Sequence, residues 1–325
     1  MGWADRISYM GKVVRIGTRG SKLALWQANY VADLLRAAVP DYTFEVEIVK
    51  TKGDKILDVA LSKIGDKGLF TKELEVGLLE GSVDLCVHSC KDMPTQLPEG
   101  LALVAMPPRV DPRDSLVAPT EGMTIETIPT GARVATGSLR RVAQLARLRP
   151  DVEICEIRGN VDTRIGKVTE GEFDCAILAA AGITRLGLTE HISSIIPVET
   201  MIPAVGQGAI VIEARENDEE ISQLCATIAD ANTMRAVEAE RIVLAELEGG
   251  CQVPMGAHAR LENRDGQDLF VLDAFVASLD GQRLVRTHLE GSVESSQALA
   301  KQAVADLREQ GAEEILEEIR VMEGQ

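Results

Sequence analysis

The sequence predicts an α/β protein with two similar α/β lobes and a third, smaller α+β domain. Strand-like and helix-like segments alternate through the first two thirds of the 325 residues, a pattern typical of sheets covered by helices. Two Pro/Gly-rich segments, 107–113 and 202–208, interrupt this alternation and indicate crossovers between domains. Residues 15–21 and 133–138 also resemble each other, since each runs from a strand through Thr and Gly-Ser into a helix.

The first lobe is predicted to contain a mostly parallel sheet. Its elements follow from apolar runs with a period of 2 or of 3.6 residues. They are strands at 13–18, 44–50, 83–88 and 101–106 and helices at 22–38 and 69–79. Residues 51–68, rich in Gly, Asp and Lys, are expected to form a loop around a short helix. A strand at 209–213 is expected to return to this sheet.

The second and third regions are assigned by the same periodicities. The second region has predicted strands at 133–136, 152–158 and 173–179 and a helix at 139–148. The third has a helix at 234–247, strands at 256–261 and 269–278, a hairpin turn at Asp280-Gly281, and helices at 295–310 and 313–320. The predicted domains are 12–107 with 204–228, then 113–202, then 230–325.

The charge pattern indicates a small anionic ligand. The net charge of −17 disfavours binding to nucleic acid or to anionic membranes. Residues 133–164 nevertheless hold seven arginines against four acidic residues, a local balance of +3. Arg147 and Arg149 are expected to be solvated residues on a helix face. No Gly-x-Gly-x-x-Gly or P-loop pattern occurs, which disfavours a nucleotide, and no Cys/His spacing predicts a metal site.

One of the six cysteines, Cys251, is placed differently from the others. Gly249-Gly250 end the predicted helix just before it, and Pro254 blocks a renewed helix just after it. Its thiol is therefore predicted to lie on a loop, although a small buried cysteine remains the alternative. No Cys-x-x-Cys pair, signal-peptide core or membrane span is evident, so reduced thiols in the cytoplasm are expected.

Polar residues follow five predicted strands, at the edge where open α/β sheets bind ligands. They are Arg19-Gly20-Ser21, Lys91-Asp92, Thr136-Gly137-Ser138, Arg158-Gly159-Asn160 and Arg185. A Gly-Ser turn before a helix offers backbone N–H groups, and arginines bind carboxylates through paired hydrogen bonds. Asp92 is the one carboxylate in this set. It is either a turn cap or a group that stabilises a developing cation and moves a proton.

Seven ordered motifs resemble those of the porphobilinogen deaminase (hydroxymethylbilane synthase) family. They are RGS at 19–21, KGLFTKELE at 67–75, VHSCKD at 87–92, GSLRR at 137–141, RGNVDTR at 158–164, PAVGQG at 203–208 and EGGCQVP at 248–254. The sequence departs from the usual family pattern in two places. Cys90 stands where Met is usual, and Gly137 lacks a hydroxyl that the family usually has.

The resemblance implies three domains, the first two similar to type II periplasmic binding proteins. It implies a transferase of tetrapyrrole biosynthesis that condenses four porphobilinogens head to tail, releases ammonia and yields linear hydroxymethylbilane. It also implies a monomer and a dipyrromethane cofactor joined through a thioether to Cys251. The alternative is a two-lobed protein that binds a small polycarboxylate anion without catalysis.

Site residues are carried over onto the matching positions of this sequence. Asp92 would be catalytic, because pyrrole condensation places positive charge on ring nitrogens. The cofactor would be held by Cys251, Lys91, Asp92, Thr136, Ser138, Arg140, Arg141, Arg158 and Gly159. The substrate, which carries two carboxylates, would be held by Arg19, Ser21, Lys67, Arg158, Arg164, Arg185 and Gln207. Residues 65–68 would belong to a lid.

Overall fold

A computed structural model of the chain describes residues 12–51, 70–247 and 253–323. The chain divides into two compact units. The first combines the residues up to 109 with 209–234, and the second combines 110–208 with the residues from 235 onward.

The described residues form thirteen strands and nine α-helices. The strands are β1 (Lys12–Thr18), β2 (Tyr42–Ile48), β3 (Leu85–Ser89), β4 (Leu101–Ala105), β5 (Asp114–Val117), β6 (Arg133–Ala135), β7 (Glu153–Cys155), β8 (Cys175–Ala179), β9 (Ile192–Ile195), β10 (Ile210–Arg215), β11 (Met255–Arg264), β12 (Gln267–Ala277) and β13 (Leu284–Ser292). The helices are α1 (Lys22–Ala38), α2 (Lys72–Leu79), α3 (Leu139–Leu148), α4 (Val161–Thr169), α5 (Ala180–Arg185), α6 (Glu219–Ala226), α7 (Ala231–Glu246), α8 (Ser296–Glu309) and α9 (Ala312–Glu323).

The first unit is built on a five-stranded sheet in the order β2-β1-β3-β10-β4. β1 runs parallel to β2 and β3, while β10 runs antiparallel to β3 and β4. The predicted return of the chain to this sheet is therefore confirmed. α1 covers one face because Ala28, Val31 and Leu35 recur at helical spacing and are fully buried. The core of this unit is thus aliphatic, as the low aromatic content requires.

The second unit contains a sheet with the same plan, in the order β7-β6-β8-β5-β9. β6 runs parallel to β7 and β8, and β5 runs antiparallel to β8 and β9. In both sheets the antiparallel inner strand, β10 or β5, is the first strand after a Pro/Gly crossover. The sequence prediction missed β5 and β9, because each has only four residues and includes Ser or Asp.

A three-stranded antiparallel sheet, β11-β12-β13, completes the second unit. α7, α8 and α9 supply Val243, Leu307 and Leu316 to a buried cluster with Phe270 and Leu272 of β12. The two α/β sheets and this third sheet confirm the predicted fold class.

Tight turns connect the strands of the third sheet. β12 and β13 pair on either side of the predicted Asp280-Gly281 turn, where Gly281 has φ of 71°. A second hairpin, which the sequence prediction missed, turns at Asp265-Gly266. Both of these residues have positive φ, as a two-residue turn of this kind requires.

Candidate functional site

Arg19 and Ser21 follow β1, where the chain turns into α1. Ser21 is the N-cap residue, and its Oγ accepts a hydrogen bond from the Ala24 N–H at 3.2 Å. The guanidinium carbon of Arg19 lies 3.9 Å from the centre of the Phe70 ring, a cation–π contact. The turn therefore fixes Ser21 at the positive end of α1, and Phe70 orients Arg19.

Lys91 and Asp92 follow β3 in a short 3-10 turn, Cys90–Asp92. The Cys90 N–H donates to the Ala209 carbonyl at 3.0 Å, which fixes the start of the turn against the segment that enters β10. Lys91 is half-buried, whereas Asp92 is exposed. No hydrogen bond from the described part of the chain reaches the Asp92 carboxylate, so this oxygen pair faces solvent and can accept a proton or a hydrogen bond.

Thr136, Gly137 and Ser138 join β6 to α3. The Thr136 N–H donates to the Cys155 carbonyl at 2.9 Å, and its buried Oγ1 accepts a longer bond of 3.4 Å from the Ser138 N–H. Ser138 occupies the N-cap position of α3, but its hydroxyl makes no capping hydrogen bond. The helix N-terminus therefore presents a hydroxyl and backbone N–H groups that suit an anion.

Arg140 and Arg141 lie in the first turn of α3 and are only 4% and 5% exposed. Both bind the carboxylate of Asp114, which is fully buried: Arg140 Nη1 donates to Oδ2 at 2.8 Å and Arg141 Nη2 to Oδ1 at 2.7 Å. Burial opposes ionisation of Asp114, but the charges and hydrogen bonds of the two arginines outweigh it and hold its pKa well below the usual range. The three side chains form a buried ionic cluster.

Hydrogen bonds of Gln207 and Arg185 connect the 202–208 crossover to the rest of the second unit. Gln207 is buried, and its Nε2 donates to Asp114 Oδ1 at 2.9 Å and to the Pro112 carbonyl at 2.7 Å. Arg185 Nη2 donates to the Gly208 carbonyl at 2.8 Å. Both predicted substrate-binding side chains therefore also hold the backbone of the crossovers.

Arg158 and Gly159 lie between β7 and α4, and Arg164 lies in the first turn of α4. Arg158 Nε pairs with Glu156 Oε1 at 2.8 Å, and this carboxylate is exposed, so a ligand anion can displace it at little cost. Gly159 has φ of 109°, which only glycine adopts readily, and its carbonyl accepts from Arg164 Nε at 2.7 Å. Gly159 thus forms the turn that brings the two arginines to one strand end.

Cys251 and Lys67 lie outside the described residues, as does the predicted lid at 65–68. The structure describes the whole of α7, the helix that precedes the Cys251 segment in the sequence. Arg308 Nη2 donates to the Glu246 carbonyl at 2.6 Å, and Arg320 Nη2 reaches the Leu247 carbonyl at 3.5 Å. These cations bind the carbonyl end of α7, where the helix dipole is negative.

Two structural residues were missed by sequence reasoning. Asp114 comes directly after the predicted crossover at 107–113 and is not among the predicted site residues, yet it is the counter-charge of the two buried arginines. Gln27, taken only as part of a helix, is buried and donates to Ser89 Oγ at 2.9 Å, beside the Lys91-Asp92 turn. The sequence offers one local signal for Asp114, its place directly before Ser-Leu-Val, whose last two residues are apolar. The expectation for Arg149 was wrong: it is largely buried, pairs with Asp151 at 2.7 Å and donates to the Ile125 carbonyl.

The site's chemistry suits an organic polycarboxylate. In the second unit, Arg140, Arg141, Arg158, Arg164 and Arg185 follow strand ends; buried Asp114 pairs with the first two, and exposed Glu156 pairs with Arg158. Arg140 Nε is buried and has no hydrogen-bond partner among the described residues. Excess positive charge with an unsatisfied donor favours a bound anion.

No group of three or more His, Cys, Asp or Glu side chains in the described ranges could hold a metal ion. None of the described helices is both long and apolar enough to cross a membrane.

The fold and the arginine-rich strand ends define a two-lobed α/β protein built for an anionic organic ligand. Residues 14–223 match the family model "Porphobilinogen deaminase, dipyromethane cofactor binding domain", and residues 234–309 match "Porphobilinogen deaminase, C-terminal domain". A porphobilinogen deaminase of Desulforudis audaxviator is 51% identical over 311 residues, covering 96% of this chain and 99% of the relative. One of Desulforamulus reducens is 49% identical, with coverages of 95% and 99%. The chain belongs to the porphobilinogen deaminase family.

The family membership confirms the predicted activity, the condensation of porphobilinogen into hydroxymethylbilane, and the predicted dipyrromethane cofactor. It does not favour the alternative of a binding protein without catalysis. Similar solved structures include the periplasmic VFT2 domain of Bordetella pertussis BvgS, at 14% identity and a TM-score of 0.40, covering 70% of this chain and 92% of that one. A TM-score this low supports no inference about function.

Proposed function

We propose that Cys251 carries the dipyrromethane cofactor and that Asp92 is the catalytic carboxylate. The four other thiols with resolved pKa shifts support this choice of cysteine. Burial raises the pKa of Cys86 and Cys155, and it raises the pKa of Cys175 and Cys225 to about 12. A thiol must ionise to act as a nucleophile, so these cysteines are poor attachment points.

The residues of the second unit fit a carboxylate-rich cofactor. Ser138 offers an uncommitted hydroxyl at the N-terminus of α3, and Arg158 is paired only with an exposed glutamate. Arg140 keeps a buried Nε–H donor that a carboxylate oxygen can accept. With Thr136, Arg141 and Gly159, these groups would hold the acetate and propionate arms of the cofactor. Lys91 would also bind the cofactor as a further cation.

The bound dipyrromethane supplies the pyrrole primer to which porphobilinogen units are added. Asp92 would act on the pyrrole N–H groups, because its exposed carboxylate can accept hydrogen bonds as positive charge develops on nitrogen. The same carboxylate can accept the proton that leaves the ring carbon as aromaticity returns. The turn that carries Asp92 is held in place by the hydrogen bond from the Cys90 N–H to the Ala209 carbonyl.

Substrate carboxylates would be held by cations at the remaining strand ends. The proposed set is Arg19, Ser21, Lys67, Arg158, Arg164, Arg185 and Gln207. Of these, Arg19 is oriented by Phe70, and Arg164 by the Gly159 carbonyl.

We also propose a cytoplasmic monomer with domain boundaries at 12–107 with 204–228, 113–202 and 230–325. The five described cysteines are free thiols, which agrees with a reducing compartment. The three separate sheets agree with three domains.

Intact-mass spectrometry tests the cofactor assignment. The wild-type protein should exceed its sequence mass by two pyrrole units, and Cys251→Ala should have its sequence mass and no turnover of porphobilinogen. Cys155→Ala is the matched control, because its half-buried thiol should be dispensable. A loaded and active Cys251→Ala protein, or loss of the added mass in Cys155→Ala, would contradict the proposal.

A further inference from the structure

Asp114 is bound on every side by side chains of the second unit. It is the first residue of β5, immediately after the proline-rich crossover, and is completely buried. Its Oδ1 accepts from Arg141 Nε at 3.0 Å, Arg141 Nη2 at 2.7 Å and Gln207 Nε2 at 2.9 Å. Arg140 donates to both carboxylate oxygens, at 2.8 and 3.2 Å. This density of charge-assisted bonds fixes all four side chains relative to one another.

Each arginine has a second anchor on the backbone. Arg140 Nη1 also donates to the Ile202 carbonyl at 2.7 Å, and Arg141 Nη1 donates to the Ile177 carbonyl at 3.0 Å. A guanidinium held by a carboxylate on one edge and a carbonyl on another has little freedom to rotate. The direction in which its remaining N–H groups point is therefore set before any ligand arrives.

The four side chains of this cluster are not electrically neutral among themselves. Two guanidinium groups face one carboxylate, so a single positive charge stays buried. Burial lowers the pKa of Arg140, and Asp114 counteracts this effect. The buried Nε–H of Arg140 has no partner among the described residues. A ligand carboxylate would supply both the missing charge and the missing acceptor.

We propose that Asp114 is a positioning residue for cofactor binding: it sets the orientation of Arg140 and Arg141 and leaves them with the one unit of positive charge that a cofactor carboxylate neutralises. This inference rests on the proposed roles of the two arginines. Asp114 itself need not touch the cofactor, because it acts through the two arginines that it binds. The same carboxylate also anchors both crossovers, through Gln207 and the neighbouring Pro112 carbonyl.

The test measures cofactor loading apart from stability. Apo-protein made in a host without porphobilinogen is incubated with increasing porphobilinogen, and the loaded fraction is read by intact mass. In Asp114→Asn, the porphobilinogen concentration that loads half of the protein should rise by about tenfold or more. A change of this size is expected when one charge-assisted hydrogen bond between an arginine and the cofactor is weakened. Leu145→Ala is the matched control: Leu145 is fully buried on the same helix, α3, and packs in an apolar cluster with Leu116 and Val134.

The control separates positioning from simple destabilisation. If Asp114→Asn and Leu145→Ala lower the melting temperature by similar amounts and load equally well, Asp114 has only a structural role and the inference is wrong. Should Asp114→Asn fail to fold, Asp114→Glu keeps the charge but displaces it by one methylene. Impaired loading of that variant supports the inference, and normal loading contradicts it. An unloaded wild-type protein would instead contradict the proposed function itself.

Discussion

His88 Nε2 lies 3.0 Å from Glu213 Oε2, and both side chains are buried between the neighbouring strands β3 and β10 of the first unit. Glu75 of α2 is close enough for its carboxylate and that of Glu213 to influence each other. Burial raises the pKa of Glu75, and the charge of Glu213 adds to this effect. The histidine that the VHSCKD motif places before Lys91-Asp92 is therefore part of a buried polar pair, which agrees with a structural role.

Removing the histidine is predicted to destabilise the protein. His88→Ala leaves the Glu213 carboxylate buried without this partner, and the free energy of unfolding should fall by about 3 kcal/mol. Urea unfolding measures the change. His191→Ala is the control, because its side chain is partly exposed beside Glu190 and should contribute under about 0.5 kcal/mol. Equal changes in the free energy of unfolding would show that the buried pair stabilises the protein no more than the exposed one.

Asp92→Asn should abolish most turnover and leave the cofactor in place. The amide keeps the size of the side chain but cannot accept a proton, so turnover per loaded molecule should fall by about 10² to 10⁴-fold. Glu99→Gln, a nearby exposed acid, serves as the control. Steady-state rates combined with intact mass distinguish the two effects. Near-normal turnover in loaded Asp92→Asn would remove Asp92 from the mechanism.

Restoring the family's usual serine at position 137 should destabilise this protein. A Cβ at Gly137 would lie 2.9 Å from the Ile157 carbonyl oxygen, so the backbone must shift. Gly137→Ser is expected to cost about 1 to 3 kcal/mol in thermal or urea unfolding. Gly166→Ala in α4 is the opposite case, since its added Cβ meets nothing closer than 3.9 Å and should stabilise the helix. Unchanged stability of Gly137→Ser would mean that the loop accommodates the side chain freely.

The stability that the third sheet contributes should depend on pH through the titration of His288. His288 Nδ1 lies 2.9 Å from Asp273 Oδ1, and the hydrogen bond to Asp273 raises the pKa of His288, with a further contribution from Glu290. The folded-state pKa is therefore above the ordinary value of about 6.5. The stabilisation is complete below that value and is lost as the pH rises through the raised pKa.

Melting temperatures of the wild type and His288→Asn test this linkage. Their difference should be largest near pH 5.5 and should shrink by about pH 8.5. A difference that stays constant over this range would show that His288 acts through packing alone.

Local pattern was sufficient to predict α1 to the residue and β1, β3 and β8 to within two residues, because their apolar spacing is regular. It failed at β5, where Asp114 opens a strand that would look too polar to be buried. Asp114 is stable there only because Arg140 and Arg141, some 26 residues later, neutralise it. Such a pairing depends on tertiary structure and leaves no periodic trace in the sequence.

The candidate site also contains residues that local sequence pattern could place and residues that depend on tertiary contacts. Arg158, Gly159 and the N-cap residues Ser21 and Ser138 could be placed at strand ends from the sequence, since turn chemistry is local. The depth of Arg140 and Arg141 could not be foreseen, because charged side chains are usually exposed. Arg149 failed for the same reason: its partners include the carbonyls of Ile125 and Ile128, which are distant in sequence.

Arg320 gives the C-terminal helix, α9, a structural role, because its guanidinium group reaches the carbonyl end of α7. Arg320, on α9, lies beyond residue 309, where the match to the C-terminal family model stops. A chain shortened to residue 311 would keep all three strands of the last sheet but lose Arg320 and also Leu316, which packs in the buried cluster with Phe270. We expect this shortened protein to be less stable and to attach its primer more slowly than the full chain.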